Sequence, residues 1–245
     1  DEFWALPMED RVAAFNTLRN EDPVRFFEEA VTPYLPPGPG YWAITRHADV
    51  IEASKNPQLF CSGSGVNIPD VPPEFGEFFG SMIGMDDPRH ARFRRIVSAG
   101  FTPRMMASLM EGVERTATEV IDRIAGLGEC DFVTEVASRL PLVIICDMMG
   151  IDPDRYDEVF QLSNIVLSNG DPEYIDPEDN PLEAFLKAGA GLAEIMNETV
   201  EARRGGDGTD LTSMLVNAEV DGERLTSDEL ASFFVLLCVA GNETT

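Results

Sequence analysis

The chain has 245 residues and carries 44 acidic against 18 Lys and Arg side chains, for a formal net charge of −26. Nucleic-acid phosphates and anionic lipid headgroups repel a surface this acidic, which argues against a general nucleic-acid or membrane-surface binder. The four cysteines have no CxxC spacing, which excludes a zinc framework or a dense disulfide scaffold, and no apolar run approaches the ~20 residues of a membrane span, so a reduced cytoplasmic protein is predicted.

Helical patterns dominate the predicted elements, taken here in chain order. A first helix opens at Pro7, and two short strands follow near residues 23–27 and 41–45. Residues 60–85 combine Gly, Ser and Pro with apolar side chains, which predicts a covering loop or lid. The predicted fold is mainly α with a small N-terminal β region, in a single domain over residues 1–245. Further helices are predicted over residues 47–56, 87–100, 103–126, 138–150, 152–167 and 182–204, and from Ser227 onward.

The segment from His90 to Phe101 is the first candidate site. A guanidinium buried among apolar residues is costly without an anion. Two interpretations of Arg94 therefore stay open: an internal salt bridge with one of the protein's acids, or capture of an anionic cofactor group together with His90. Because a helix turns by about 100° per residue, one stripe of this segment carries the two donors His90 and Arg94 among apolar side chains: His90, Phe93, Arg94, Val97 and Phe101.

The second candidate site is the end of the last predicted helix, Ala240-Gly241-Asn242-Glu243-Thr244-Thr245. Gly disfavours a helix interior by ~1 kcal/mol relative to Ala, and buried Glu and Thr side chains need partners. Ala240 and Gly241 would let a flat group approach the backbone. Glu243 beside Thr244 is an acid–hydroxyl pair able to deliver protons. The alternative is a helix crossing between small residues, with the Thr244 hydroxyl bonded to the carbonyl four residues back.

A cluster of arginines near the first candidate site gives this acidic chain a local positive patch. One interpretation is a solvated helix face. The other is a docking surface for an acidic electron-transfer partner. The arginine patch consists of Arg89, Arg92, Arg95 and Arg104.

Taken together, these motifs resemble the cytochrome P450 family of haem-thiolate monooxygenases, in its soluble bacterial branch. Residues 86–95 are similar to the helix of that family that contacts the haem propionates. Residues 240–245 resemble the oxygen-activation motif of its long central helix, and residues 210–215 resemble the segment before that helix. The two main motifs occur in the family's order, about 150 residues apart. The resemblance implies the cytochrome P450 fold, incomplete in this chain, and haem b as cofactor.

The resemblance also implies roles for individual residues. His90 and Arg94 would bind the haem propionates. Thr244 would hold oxygen and its water at the haem, and Glu243 would relay protons. Further haem contacts are implied for Met82, Ile83, Phe101, Ala240, Gly241 and Thr244. Contacts with an apolar substrate are implied for Ile68, Leu236, Val239 and Ala240.

The family's axial cysteine lies in a loop far toward the C-terminus, and none of the four cysteines here sits in such a loop. No metal ligand is assigned in this chain, and the axial cysteine is expected beyond Thr245. The chain is therefore expected to be an N-terminal portion that stops within the central helix.

The implied activity is hydroxylation of an apolar substrate with O₂ and electrons from a ferredoxin-type donor docking at the arginine patch. Lipid or sterol side chains are favoured as substrates, because the apolar run 140–146 and residues 219–225 are similar to bacterial members with those substrates. The alternative is a non-catalytic, all-helical module that binds a hydrophobic ligand or a partner protein.

Overall fold

A computed structural model describes residues 2–29, 37–69, 73–168, 170–220 and 222–245. These residues form helices and one pair of strands. The helices are α1 (Met8–Glu21), α2 (His47–Lys55), α3 (Pro73–Gly80), α4 (Arg89–Gly100), α5 (Pro103–Ile124), α6 (Arg139–Met149), α7 (Tyr156–Leu167), α8 (Pro181–Arg203), α9 (Leu211–Asn217) and α10 (Ser227–Glu243). The strands are β1 (Val24–Phe27) and β2 (Tyr41–Ile44), and shorter helical turns cover Ser81–Gly84, Val133–Ala137 and Pro153–Arg155.

The chain divides into two compact units, one reaching to Gly76 and the other starting at Glu77. In the first unit, β1 and β2 pair as antiparallel strands, with Val24 opposite Ile44. Aromatic rings reinforce the pairing, because Phe26 and Trp42 meet edge to face with their centroids 5.3 Å apart. Cross-strand aromatic pairs stabilise such short ladders. The predicted small β region near the N-terminus is confirmed.

The second unit contains a helical core built around α10. This helix packs against α6, α7, α8 and α9, and its residues 230–236 are all buried. Leu230, Phe234 and Cys238 have no solvent-exposed surface. An apolar helix that is covered on all sides has no amphipathic stripe and belongs in the middle of a bundle. Among the described residues, no helix combines the length and the hydropathy that crossing a bilayer requires.

Local capping accounts for the helix starts that the sequence predicts. Thr226 and Glu229 form a reciprocal capping box at the start of α10. The Thr102 hydroxyl accepts a hydrogen bond from the Met105 amide at the start of α5, where Pro103 occupies the first turn. Both starts lie where the sequence places them, because caps depend on residues that are neighbours in the chain.

The prediction of a loop over residues 60–85 is wrong for its second part, which contains α3 and the turn Ser81–Gly84. Phe75, Phe78 and Phe79 have the i, i+3, i+4 spacing of an apolar helical stripe. The ring of Phe79 lies against Gly189 of α8, where a Cβ atom would be only 2.4 Å from Phe79 Cζ. Residues 70–72 lie outside the described part. The short helix α9 and the turn Val133–Ala137 are also additions to the predicted elements.

Candidate functional site

The first candidate segment forms α4, but its buried face differs from the predicted stripe. Phe93, Ile96, Val97 and Gly100 are buried, whereas Arg94 is exposed. Leu211 of α9 lies against Gly100, so closely that a Cβ on the glycine would be 2.6 Å from Leu211 Cδ1. This packing turns Ile96 and Gly100 inward and leaves Arg94 at the edge. The prediction that Arg94 faces the core is therefore wrong, and its charge requires no internal anion.

His90 and Arg94 lie one turn apart on the flank of α4 beside the buried face. The His90 side chain is 34% exposed, and its Nδ1 is 3.8 Å from Asp87 Oδ1. Arg94 makes no hydrogen bond or ion pair with any residue in the described part of a chain that holds 44 acids. The predicted internal salt bridge of Arg94 is thus absent from that part, and its guanidinium can bind an external anion.

The second candidate segment forms the last turns of α10. Ala240 and Thr244 are exposed and lie one turn apart on the same face. The Thr244 hydroxyl donates to the Ala240 carbonyl at 2.6 Å, and Thr245 donates likewise to Gly241 at 2.8 Å. The hydrogen bond to the carbonyl four residues back is therefore present. The oxygen of Thr244 keeps its lone pairs as acceptors for a donor outside the helix.

Gly241 faces the opposite way, toward α6. A Cβ atom at this position would lie 2.8 Å from Cδ1 of Ile145. The glycine thus permits a close crossing of α10 and α6, as the small-residue alternative predicts. This contact explains the glycine without a ligand, and a haem contact of Gly241 stays a prediction.

Asn242 is not singled out by its sequence pattern. It is 6% exposed, and its Oδ1 atom has no hydrogen-bond partner in the described part of the chain. The signal for its burial is the spacing, because it follows the fully buried Cys238 by four residues. The side chain of its neighbour Glu243 lies outside the described part, so the predicted proton relay stays a prediction.

Three elements that carry predicted haem contacts pack on one another in the second unit. The turn Ser81–Gly84, with Met82 and Ile83, contacts both α4 and α10. Met82 is partly buried against the core, whereas Ile83 is 48% exposed and Phe101 at the end of α4 is 37% exposed. The structure thus packs elements on one another that lie far apart in the chain.

The predicted substrate contacts differ in burial. Leu236 is 8% exposed, and Val239 is partly buried against the core. Ile68 is 54% exposed and belongs to the first unit. A role for these residues in binding a substrate stays a prediction.

Arg92 occupies a position that the sequence pattern assigns to a surface patch. Its side chain is only 24% exposed, and its Nη1 atom lies 2.8 Å from Oε1 of Glu229 on α10. Its Nε atom lies 3.2 Å from Glu223 Oε2. The hydrogen bond to Glu229 raises the pKa of Arg92 above its ordinary value. Arg89 and Arg95 of the patch are exposed, and the side chain of Arg104 lies outside the described part.

These side chains fit a flat, largely apolar cofactor with anionic groups at its edge. His90 and Arg94 are donors for carboxylates. Ile83 and Phe101 offer exposed apolar surface, and Ala240 is small enough for close approach to the helix backbone. This donor set is compatible with haem, whose two propionates need cationic partners at the rim of an apolar site.

Comparison with known proteins identifies relatives of this arrangement, although no protein-family model matches the chain. A methyl-branched lipid omega-hydroxylase of Mycobacterium tuberculosis is 44% identical over 247 residues, covering 100% of this chain and 57% of the relative. A steroid C26-monooxygenase of Mycolicibacterium smegmatis is 36% identical over 211 residues, covering 84% of this chain and 48% of that protein.

Solved structures agree with these relatives. Cytochrome P450 CYP268A2 of Mycobacterium marinum, in complex with pseudoionone, has a TM-score of 0.85 and 38% identity, over 99% of this chain and 59% of that one. Substrate-free CYP109E1 of Bacillus megaterium has a TM-score of 0.78 and 26% identity, over 100% of this chain and 59% of that one. The chain thus spans 57% of the length of its 44%-identical relative. It belongs to the cytochrome P450 family, of which it represents an N-terminal region.

Proposed function

We propose that the protein is a haem monooxygenase that hydroxylates an apolar lipid-type substrate with O₂. The observation that carries the proposal is 44% identity, over the whole of this chain, with a methyl-branched lipid omega-hydroxylase. The packing of the Ser81–Gly84 turn on α4 and α10 supports it, because these three elements bear the implied haem contacts. In this proposal residues 1–245 form part of one haem domain.

The substrate proposed is a methyl-branched lipid chain or a sterol side chain. Relatives named for a methyl-branched lipid and for a steroid match 100% and 84% of this chain. Apolar side chains would contact such a substrate without providing polar groups to orient it: Ile68, Leu236, Val239 and Ala240. We expect a terminal carbon to be hydroxylated, because the 44%-identical relative is named an omega-hydroxylase.

His90 and Arg94 would hold the haem through its propionates, each by charge-assisted hydrogen bonds worth about 1.5–3 kcal/mol. Met82, Ile83 and Phe101 would contact the ring. When bound, the haem would supply the binding and reductive activation of O₂. The axial thiolate would come from outside these 245 residues.

Thr244 and Glu243 would deliver protons at this site. Because the Thr244 hydroxyl donates to the Ala240 carbonyl, its oxygen is oriented as an acceptor for a water molecule. That water could receive a proton from the Glu243 carboxyl and pass it on. The proposed role of Thr244 is therefore to hold a water molecule, and that of Glu243 is to supply this water with a proton.

Electrons would come from a ferredoxin-type partner that docks at the arginine patch. Arg89 and Arg95 are exposed and could contact an acidic partner. Arg92 is only 24% exposed, and it binds Glu223 and Glu229. A cytoplasmic location is part of the proposal, and the four unpaired cysteines are compatible with it.

The first test is the absorption spectrum of the purified gene product, reduced and exposed to carbon monoxide. We expect a strongly red-shifted Soret band, as thiolate-ligated haem requires. Arg94→Ala should then lose haem to an apo-globin acceptor roughly tenfold faster or more, because one charge-assisted contact is lost; Arg94→Lys should recover part of the difference. A colourless protein after expression with added haem precursor would contradict the proposal and favour a binding-only relative.

The substrate class has its own test. A methyl-branched fatty acid and a linear fatty acid of equal length are incubated with the reconstituted enzyme, and the products are identified by mass spectrometry. We expect terminal hydroxylation with a higher kcat/KM for the branched chain. Equal rates for both chains, or hydroxylation within the chain, would contradict this part of the proposal while leaving the monooxygenase activity intact.

A further inference from the structure

We propose that Arg92 is a positioning residue that aligns α10 on α4 and thereby sets where Thr244 stands relative to His90 and Arg94. The inference rests on the proposed function, because it concerns the geometry of the haem site. It assigns Arg92 to the interior organisation of the enzyme, rather than to the surface patch that the sequence pattern indicates.

All three nitrogen atoms of the Arg92 guanidinium make polar contacts. Nη1 lies 2.8 Å from Glu229 Oε1, Nη2 donates to the Arg224 carbonyl at 2.8 Å, and Nε lies 3.2 Å from Glu223 Oε2. A planar fork held at three points fixes direction as well as distance, which a point charge cannot do. Arg92 therefore orients the start of α10 and the segment before it on α4.

The two carboxylate oxygens of Glu229 make different contacts. Its Oε2 accepts a hydrogen bond from the Thr226 amide at 2.9 Å, which completes the capping box of α10. Its Oε1 binds Arg92, and the side chain is only 13% exposed. The first turn of α10 and the first turn of α4 are thus joined by one carboxylate.

A second contact joins the same two helices. Phe93, next to Arg92, meets Phe233 edge to face with the ring centroids 6.1 Å apart. Phe93 is 0% exposed and Phe233 is 3% exposed. The aromatic pair holds the two helices together, and the contact between Arg92 and Glu229 limits their rotation about that pair.

The face of α10 that contacts α4 continues to the candidate site. Glu229, Phe233, Ala240 and Thr244 are spaced i, i+4, i+11 and i+15, and so fall within about 60° of arc. At 1.5 Å per residue, Thr244 is about 22 Å from Glu229 along the axis. A tilt of about 5° at the anchored end would therefore move Thr244 by about 2 Å. Misplacement by 1 Å can cost about 100-fold in rate.

The test compares Arg92→Gln and Arg92→Lys with the parent in the haem-loaded gene product. For Arg92→Gln we expect an unchanged carbon monoxide band and unchanged substrate KM, with about tenfold less product per electron pair and a matching rise in peroxide. Arg92→Lys should recover only part of the coupling, because it keeps the charge but loses the fork. Glu229→Gln should behave like Arg92→Gln, since a glutamine at this position still caps the helix.

A distance measurement provides a readout that does not depend on activity. Nitroxide labels are placed at cysteines introduced for Ser98 and Thr245, after exposed Cys61 and Cys130 are replaced by serine. Double electron–electron resonance measures the distance between the two labels. In Arg92→Gln this distance should shift, or its distribution should broaden, by about 2 Å, as estimated above for a tilt of about 5°.

Arg155 provides the matched control. Its Nε lies 2.6 Å from Glu158 Oε2, its Nη1 lies 2.7 Å from Glu198 Oε2, and its side chain is 32% exposed. Arg155→Gln should alter neither the distance nor the coupling, although it removes an equivalent pair of contacts.

Unchanged distance and coupling in haem-loaded Arg92→Gln would overturn the positioning role and leave the proposed function standing. The positioning role is equally overturned if Arg92→Gln and Glu229→Gln only lower the thermal midpoint. If Arg92→Gln does not fold, Glu229→Gln decides the question by the same two readouts. A parent protein without thiolate-ligated haem would instead contradict the proposed function itself.

Discussion

The two halves of α10 have different surroundings. In the first half, Leu230 and Phe234 have no exposed surface. The same is true of Cys238 shortly after the midpoint, where burial raises the pKa of the thiol well above its ordinary value. In the last turns, Ala240 and Thr244 are exposed on one face. The comparison indicates that the first half anchors the helix in the core, whereas the last turns carry exposed small and polar groups.

Removing a ring from the first half should have the largest effect. We expect Phe234→Ala to lower the free energy of unfolding by about 3–5 kcal/mol, because it leaves a cavity in a fully buried site. Urea denaturation of the gene product measures the change. Phe132→Ala, at a side chain that is 64% exposed, is the control and should change stability by less than about 0.5 kcal/mol. Equal losses in both variants would refute the anchoring role of the first half.

Removing a hydroxyl from the last turns should affect chemistry more than stability. Thr244→Ala should leave the free energy of unfolding within about 0.5 kcal/mol of the parent, because the residue is exposed. Loss of the group that holds the proposed water should reduce product per electron pair by roughly tenfold or more, with peroxide formed instead. Peroxide and product are quantified in the same reaction.

Thr245→Ala is the matched control for Thr244→Ala, since Thr245 makes the same kind of hydrogen bond, to Gly241. It should keep full coupling. Full coupling of the Thr244 variant as well would remove Thr244 from the proton pathway.

A third substitution tests whether the last turns of α10 also pack against the core, through Gly241. Gly241→Val should lower the free energy of unfolding by about 1–2 kcal/mol, because its side chain would press on Ile145. The combination with Ile145→Ala should recover part of that loss, as a double-mutant cycle would show. Additive losses in the cycle would mean that Gly241 serves something other than the crossing with α6.

The parts of the fold that depend on near neighbours in the chain were predictable. The start of α10 follows from Thr226 and Glu229, which satisfy each other's backbone groups three residues apart. The two strands β1 and β2 follow from short aromatic and β-branched runs on either side of a Pro- and Gly-rich segment. Both predictions are confirmed, because each depends on residue types at short spacing along the chain.

Orientation on a helix was not predictable in the same way. The stripe through His90, Arg94 and Phe101 is a correct description of helix geometry, yet the buried face of α4 is rotated away from it. Leu211 packs on Gly100 from α9, an element that the sequence pattern did not reveal. Which side of a short helix is buried depends on its neighbours in space, which are far away in the chain.

The amino-acid sequence by itself determined the helical class, the main helix starts and the two motifs that relate the chain to cytochrome P450, since each depends on residue types at fixed short spacing. Only the tertiary structure decided that Arg94 is exposed, that Gly241 faces Ile145 and that Arg92 binds Glu229. The last pair is 137 residues apart in the chain. Such contacts form when helices pack, and charge or hydropathy patterns do not specify which of 44 acids an arginine will meet.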